Sequence, residues 1–233
     1  MITYRRLRLA CCCMTAVLAW LIAPPVSAQI TNVVFSEDFE GTTINPGKFQ
    51  AAAPFFEGGV GDIAATQHDG MVEFMGTVSQ QWWAGATLQV VPTFTISPET
   101  NVVFTVDRVQ EAGVGTASRS ALWIMDSTQT KYILFADVRG EEGWRYNRKI
   151  GESGDVPTGG GTILTAFDGG SWDDGGWHQM KAVANGKTVS LYLDDVFGAD
   201  VKFPYSTLVF HIGSYARANN DVANTFFDNL KIE

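Results

Sequence analysis

The sequence has little cysteine, and what it has lies together near its start. The three cysteines of the 233-residue chain are Cys11, Cys12 and Cys13. The rest of the chain therefore has no thiol for a disulfide or for nucleophilic catalysis. Its stability is expected to come from burial of a hydrophobic core, with a bound metal ion as a further contribution.

Basic residues are also few. The chain has 16 Lys and Arg against 25 Asp and Glu, a formal net charge of −9. Loss of residues 1–28 would remove three basic and no acidic residues and leave −12. This charge repels phosphate backbones and anionic lipids, so we expect neither nucleic-acid binding nor membrane insertion of the processed protein. It is compatible with neutral sugars and cations, whereas a strongly anionic polysaccharide would need a local basic groove.

The first 28 residues have the layout of an export signal. Arg5, Arg6 and Arg8 precede an apolar run over 9–23, which is followed by two prolines and the small-residue triplet 26–28. The apolar run is short for a membrane span, and the triplet is typical of a cleavage site. We predict a signal peptide at 1–28, one domain at 29–233 and a secreted protein, extracellular or periplasmic.

No stretch after residue 28 has the period of an amphipathic helix. Short runs of β-branched and aromatic residues alternate instead with Gly, Asn, Asp and Pro. The pattern predicts an all-β fold, a two-sheet antiparallel jelly-roll sandwich in which the first and last strands pair. The predicted strands are 33–37, 71–75, 86–91, 101–106, 121–126, 131–138, 144–149, 177–184, 188–194, 207–212 and 224–232, with a short one at 162–166.

One hairpin has the strongest local signal. In the segment WHQMKAVANGKTVSLYLDDV, residues 177–196, two alternating runs meet at Asn185-Gly186, a pair that tolerates positive φ. In the second run Val189, Leu191 and Leu193 share one face, which predicts that they point into the core.

Three segments carry a family resemblance. VVFSEDFEG (33–41), the 177–196 hairpin and FHIGSYARANNDVANTFFDNLKIE (210–233) resemble the concanavalin A-like lectin/glucanase superfamily, and within it laminin-G-like domains of bacterial secreted proteins. The superfamily contains lectins, binding modules, glycoside hydrolases and polysaccharide lyases, so the resemblance implies the fold and leaves the function open.

The main functional prediction is a secreted, non-catalytic module that binds a glycan or a cell-surface polysaccharide. One alternative is an extracellular polysaccharide lyase or glycoside hydrolase acting in the concave groove. Another is a structural envelope or matrix domain without a small ligand.

The resemblance also implies a structural calcium ion. In related jelly rolls an acidic residue near the first strand and an Asp near the last strand meet on one face. The matching residues here are Asp38, Glu40 and Asp228. Several carboxylate and carbonyl oxygens suit this hard cation. The three histidines do not have the spacing of a zinc site.

The sequence supports glycoside hydrolysis and polysaccharide elimination to different degrees. Laminarinase-type glucanases place Glu, Asp and Glu at alternating positions of one central strand, and no such strand is visible here. Residues 210–215 are similar to the late strand of alginate lyases, where the position of Tyr215 is a proton donor. If the protein is a lyase, His211 and Tyr215 would act as base and acid, and Arg108 would neutralise a uronate carboxylate.

Tryptophans are numerous, which suits sugar stacking. Trp123 and Trp177 lie in strong strands and are expected in the core, whereas Trp144 and Trp172 stand amid glycine and charge. The residues predicted to bind the ligand are Trp144, Tyr146, Arg148 and Trp172. The Gly-rich stretch 151–176 is expected to be a surface loop, and its alternative role is to rim a binding face.

Overall fold

The described residues of the computed structural model form β-strands and one short 3₁₀ turn. The structure describes residues 33–52, 60–80, 83–97, 100–110, 118–138, 143–156, 161–167, 175–217 and 219–233. The predicted signal peptide and Trp172 lie outside these residues. Among the described residues no helix has the length and hydropathy needed to cross a membrane.

Sixteen strands follow one another in the part of the chain that the structure describes. They are β1 (Phe35–Glu37), β2 (Phe49–Ala52), β3 (Ala64–His68), β4 (Met71–Thr77), β5 (Ala84–Val90), β6 (Phe94–Thr95), β7 (Val102–Gln110), β8 (Arg119–Asp126), β9 (Tyr132–Val138), β10 (Trp144–Lys149), β11 (Thr162–Ile163), β12 (His178–Asn185), β13 (Thr188–Leu193), β14 (Val196–Lys202), β15 (Thr207–Ala216) and β16 (Val222–Ile232); the 3₁₀ turn is Thr165–Phe167.

The strands form two antiparallel eight-stranded sheets. Sheet A has the order β14-β13-β12-β7-β16-β4-β3, with β1 also paired to β16; sheet B has the order β11-β10-β9-β8-β15-β5-β2, with β6 also paired to β15. Phe35 lies opposite Ile232, so the first and last described strands pair. The predicted all-β antiparallel sandwich is confirmed.

The main core lies between the sheets. In β7 buried and half-buried residues alternate along the whole strand, because each second side chain turns inward. Val189, Leu191 and Leu193 of β13 are buried as predicted. Asn185 pairs with Thr188 across the turn, and Gly186 has φ 59°, the left-handed conformation that this two-residue turn requires.

The strands that the sequence pattern missed lie mostly at sheet edges. β2, β3 and β14 are edge strands, and their residues are largely exposed or half-buried. An edge strand has one neighbour and little buried surface, so its hydrophobic alternation is weak. The short strand predicted at 162–166 is a two-residue strand followed by the 3₁₀ turn.

We predict that loss of one interior ring destabilises the domain strongly. Phe104 of sheet A stacks on Phe210 of sheet B with ring centroids 4.9 Å apart, and both are fully buried. Phe210→Ala should lower the free energy of unfolding by about 3–5 kcal/mol, measured by urea denaturation. Phe197→Ala, at a ring that is 48% exposed, is the control, with an expected loss of about 1 kcal/mol or less. Equal losses would contradict the assignment of the core.

Candidate functional site

The central strands of sheet B are buried on both of their faces. All eight residues of its central strand β8 are buried. Leu122 and Ile124 belong to the core between the sheets, so the alternate residues of β8 point to the opposite side, which we call the outer face of sheet B. A second hydrophobic cluster lies there, comprising Trp83, Ala121, Trp123, Met125, Leu134, Ala136, Val209 and Tyr215.

Strand pairing arranges the outer face in rows that run across the strands. One row contains Gln89, His211, Trp123, Leu134 and Asn147. The next contains Thr87, Gly213, Ala121, Ala136 and Arg145.

The second row has small side chains at its centre. At Gly213 a Cβ would lie 2.3 Å from the carbonyl oxygen of Ala86, so only glycine fits there. Beyond this row Tyr215 pairs with Arg119. The outer face therefore has a lane of small residues between two rows of larger ones.

One end of the outer face carries aromatic rings and guanidinium groups in contact. Trp83 and Tyr215 have ring centroids 5.0 Å apart, and Trp123 lies 5.5 Å from Tyr215. Arg119 is positioned over Trp83 at 4.2 Å, and its Nη1 donates to the Tyr215 hydroxyl at 3.5 Å. Arg217 contacts the same indole at 5.5 Å. Indole faces and oriented donors are the groups that bind sugar rings and their hydroxyls.

His211 lies in the middle of this face and is fully buried. Burial lowers the pKa of His211 to about 4, because desolvation disfavours the charged imidazolium. The ring is therefore neutral at pH 7, as a base must be.

The two residues of the predicted acid–base pair, His211 and Tyr215, are separated along one strand. Both belong to β15 and share a face, but four residues of a strand span about 13 Å. An elimination needs its base and acid at neighbouring atoms of one sugar, within hydrogen-bond reach. The backbone positions of these two residues are therefore about 13 Å apart along the outer face.

Arg108 is not on the outer face, so its predicted role is wrong. It is fully buried between the sheets, where its Nη2 lies 2.6 Å from the Asp137 carboxylate and its guanidinium lies 4.4 Å from the Trp144 ring. β7 turns Arg108 inward with Phe104 and Val106 because all three have the same parity. Arg119, which was not predicted from the sequence, is the arginine that the sheet places beside Tyr215. The sequence signal for it is that Arg119, Ala121, Trp123 and Met125 are alternate residues of one strand and therefore share a face.

The residues predicted to bind a ligand do not form one site. Trp144 is 1% exposed and packs 5.4 Å from Phe135 in the core, so its expected surface position is wrong. Tyr146 packs against the same core, and Arg148 lies 3.3 Å from Asp155. Trp123 is buried as expected, whereas Trp177 is 46% exposed, since it precedes the first paired residue of β12.

The described residues of the outer face include no carboxylate. Its central strand has Ala121, Trp123 and Met125 at the alternating positions, without a register shift. Asp126 has the opposite parity and accepts from the backbone N–H groups of Thr130 and Lys131 at 2.9 and 2.8 Å. These bonds make it a turn-forming residue and lower its pKa against the opposing effect of burial.

The residues predicted to bind calcium lie near both ends of the domain. Burial raises the pKa of Asp228, and the charges of Asp107, Glu40 and Asp38 add to this effect. The carboxylates thus approach one another closely enough to repel. Nevertheless, the described residues contain no group of three His, Cys, Asp or Glu side chains arranged to hold a metal ion.

No family model matches the sequence, and no curated protein does either. Solved structures do match the fold. A structure from work on endo-acting O-glycanases of the human gut microbiota, which initiate mucin breakdown, has a TM-score of 0.66 at 11% identity over 86% of this chain and 98% of that chain. The β-glucanase of Bacillus licheniformis gives 0.59 at 12% identity over 88% and 99%. A GlcNAcα1-4Gal-releasing endo-β-galactosidase of Clostridium perfringens gives 0.55 at 12% over 90% and 64%.

These matches overturn the prediction of a non-catalytic binding module, because all three are described as glycan-cleaving enzymes, and the enzyme alternative fits them better. At these identities the likeness itself concerns the fold. The chain has the concanavalin A-like jelly-roll fold of the lectin and glucanase superfamily.

Proposed function

We propose that the protein is an extracellular glycan-cleaving enzyme whose substrate lies along the outer face of sheet B. The observation that carries the proposal is the gathering of Trp83, Trp123 and Tyr215 on that face, together with hydrogen-bonding side chains and a lane of small residues. Aromatic faces stack on sugar rings, and the lane has the direction of a chain crossing the strands. The enzymatic fold neighbours support cleavage as the reaction.

Access is the first requirement of this function. Trp123, His211 and Tyr215 are 0–3% exposed, so contact with substrate requires a rearrangement that opens the centre of the face. Gln89 is half-buried, while Arg217 and Lys149 are exposed, so an approaching glycan contacts these residues first.

Hydrolysis is the reaction of the matched enzymes, and it generally needs two carboxyl groups flanking the scissile bond. The described residues of the outer face supply none. The acidic residues of the processed chain outside the described residues are Glu57, Glu99, Glu111, Glu141, Glu142, Asp168, Asp173 and Asp174, and the pair is to be sought among them.

The experiment is an activity assay with single amide variants of these eight residues. The mature chain should release reducing ends from mucin glycans, laminarin or mixed-linkage β-glucan without forming unsaturated uronates. A Glu→Gln or Asp→Asn change at a catalytic carboxylate should lower the rate by about 10²–10⁴-fold. Glu152→Gln is the matched control, since Glu152 pairs with Lys202 at the surface. The absence of reducing ends from every polymer, or full activity in all eight variants, would refute the proposal.

His211 provides a test of the buried face through the pH dependence of stability. Its pKa is about 4 in the folded protein against 6.5 for the free side chain. Between these values the unfolded chain binds the additional proton, so the contribution of the neutral ring is complete above pH 6.5 and is lost as the pH falls toward 4. The expected loss is up to about 3 kcal/mol.

Urea unfolding at several pH values measures this loss, and His211→Gln should give a flatter profile between pH 6.5 and 4. His68→Gln is the control with the opposite sign, because hydrogen bonds to Glu73 and Asp69 raise the pKa of His68. The stabilising effect of protonated His68 is present at low pH and is lost as the pH rises through the raised pKa of His68 in the folded protein. An unchanged slope in His211→Gln would show that the imidazole is not buried.

We also propose that Ca²⁺ binds beside Asp228, with Asp38 and Glu40 supplying charge. Burial and the neighbouring charges of Asp107, Glu40 and Asp38 raise the pKa of Asp228, and a divalent cation would offset these charges. Addition of Ca²⁺ to chelator-treated protein at pH 7 should raise the melting temperature by about 2–4 °C for each kcal/mol of binding free energy. Asp228→Asn should abolish the increase, and Asp200→Asn, a substitution on edge strand β14, should leave it unchanged. Equal melting temperatures with Ca²⁺ and with chelator would refute the site.

A further inference from the structure

The turn between β8 and β9 contains a residue in a strained conformation. Gln129 has φ 56°, a left-handed conformation that is uncommon for residues other than Gly and Asn. Asp126 stabilises this turn. Its backbone carbonyl accepts from the N–H of Gln129 at 2.9 Å, and its carboxylate accepts from the N–H groups of Thr130 and Lys131 at 2.9 and 2.8 Å. These bonds hold Gln129 in a conformation that its own side chain disfavours.

The side chain of Gln129 reaches across a neighbouring strand. Its Nε2 donates to Oε1 of Gln89 at 3.2 Å. Gln89 belongs to β5, and β15 lies between β5 and β8 in sheet B, so this contact spans β15 on the outer face. Neighbouring strands are about 4.8 Å apart, and a long side chain is needed to cover this distance. Asn, which tolerates positive φ better than Gln does, is one methylene group shorter.

The two amides present donors and an acceptor side by side. Gln89 and Gln129 are half-buried, and the bond between them uses one N–H and one oxygen. The N–H groups of Gln89 and the side-chain oxygen of Gln129 have no other partner among the described residues. Gln50, opposite Gln89 on β2, adds an exposed third amide. This edge of the outer face is therefore uncharged and rich in hydrogen-bonding groups.

The amides lie at some distance from the aromatic residues of the same face. Gln89 is opposite His211 on β15, whereas Tyr215 is four residues further along that strand. The lane of small residues that contains Gly213 lies between them. A glycan that lies along the face would thus contact the aromatic rings and the amides with different sugars.

We propose that Gln89 and Gln129 form a subsite for two neighbouring hydroxyl groups of a neutral sugar. One hydroxyl accepts from Nε2 of Gln89, and the other donates to Oε1 of Gln129. A hydroxyl group can both donate and accept, so an uncharged pair of amides suits two adjacent ones. The inference rests on the proposed function, because that function places the glycan on this face. It adds the substrate class, a neutral glycan with neighbouring free hydroxyl groups, and it applies whichever residues perform the cleavage.

The test is affinity electrophoresis in gels that contain laminarin or mixed-linkage β-glucan. Both polymers consist of glucose, but the internal main-chain sugars of laminarin have no two neighbouring free hydroxyl groups, whereas mixed-linkage β-glucan contains sugars that do. We expect stronger retardation by mixed-linkage β-glucan. Gln129→Gly should weaken it about three- to tenfold and leave retardation by laminarin unchanged. Gln89→Leu should have the same effect.

The variants at position 129 separate binding from folding. Glycine adopts positive φ without strain, so Gln129→Gly should keep the melting temperature within about 2 °C while it loses affinity. Gln129→Asn keeps an amide at this φ but is too short to span β15, and it should bind as weakly as Gln129→Gly. Asn220→Gly is the matched control, since Asn220 has φ 70° in the exposed turn between β15 and β16.

Retardation by neither polymer overturns the subsite, and so does an equal effect of Gln129→Gly on both polymers. Equal weakening in Gln129→Gly and Asn220→Gly also overturns it. Weakening in Gln129→Gly that comes with a lower melting temperature and is absent in Gln89→Leu shows a structural role and has the same consequence. Cleavage of mixed-linkage β-glucan with an unchanged KM in Gln129→Gly would refute the subsite and leave the proposed function standing. Binding that depends on Gln129, without cleavage of any polymer, would do the reverse.

Discussion

The structure depends on the fact that the central strands of sheet B are buried on both faces. A strand can present only two sides, and each residue of β8 therefore packs either against the core between the sheets or into the outer face. Leu122 and Ile124 take the first side, and Ala121, Trp123 and Met125 take the second. A shift of one residue in the register of β8 would exchange the two sets, so the same alternation maintains both the core and the candidate site.

The polar contact between the sheets follows from the same alternation. Arg108 of β7 and Asp137 of β9 meet at 2.6 Å with no exposed surface, and Trp144 covers the guanidinium. A buried ion pair is weak evidence for added stability, but removing one partner leaves a buried charge and costs about 3–5 kcal/mol. The pair therefore favours one alignment of the two sheets, and this alignment determines which residues face outward on the other side of sheet B.

The fold and the side chains of the outer face support different parts of the proposed function. The matched enzymes share this sandwich fold at 11–12% identity, so the comparison does not assign roles to the side chains of the outer face. They are aromatic, cationic and amide-bearing, and the described ones include no acid. On the proposed function, a glycan that lies along this face stacks on its indole and phenol rings.

The sequence by itself determined the all-β architecture and the hairpin at Asn185-Gly186, because short alternating runs and turn residues are local signals. The pairing of the first strand with the last was expected from the jelly-roll architecture, since these strands are far apart in the chain. Only the tertiary structure decided the edge strands and the faces of sheet B. Strands buried on both sides are apolar throughout, so their period does not show which side meets the partner sheet. Arg108 and Trp144 were expected at a ligand and lie in the core, because β7 turns Arg108 to the side of Phe104 and Val106 and β10 turns Trp144 toward Phe135. Arg119, buried beside Trp83 and Tyr215, was recognised only after pairing placed β8 next to β15.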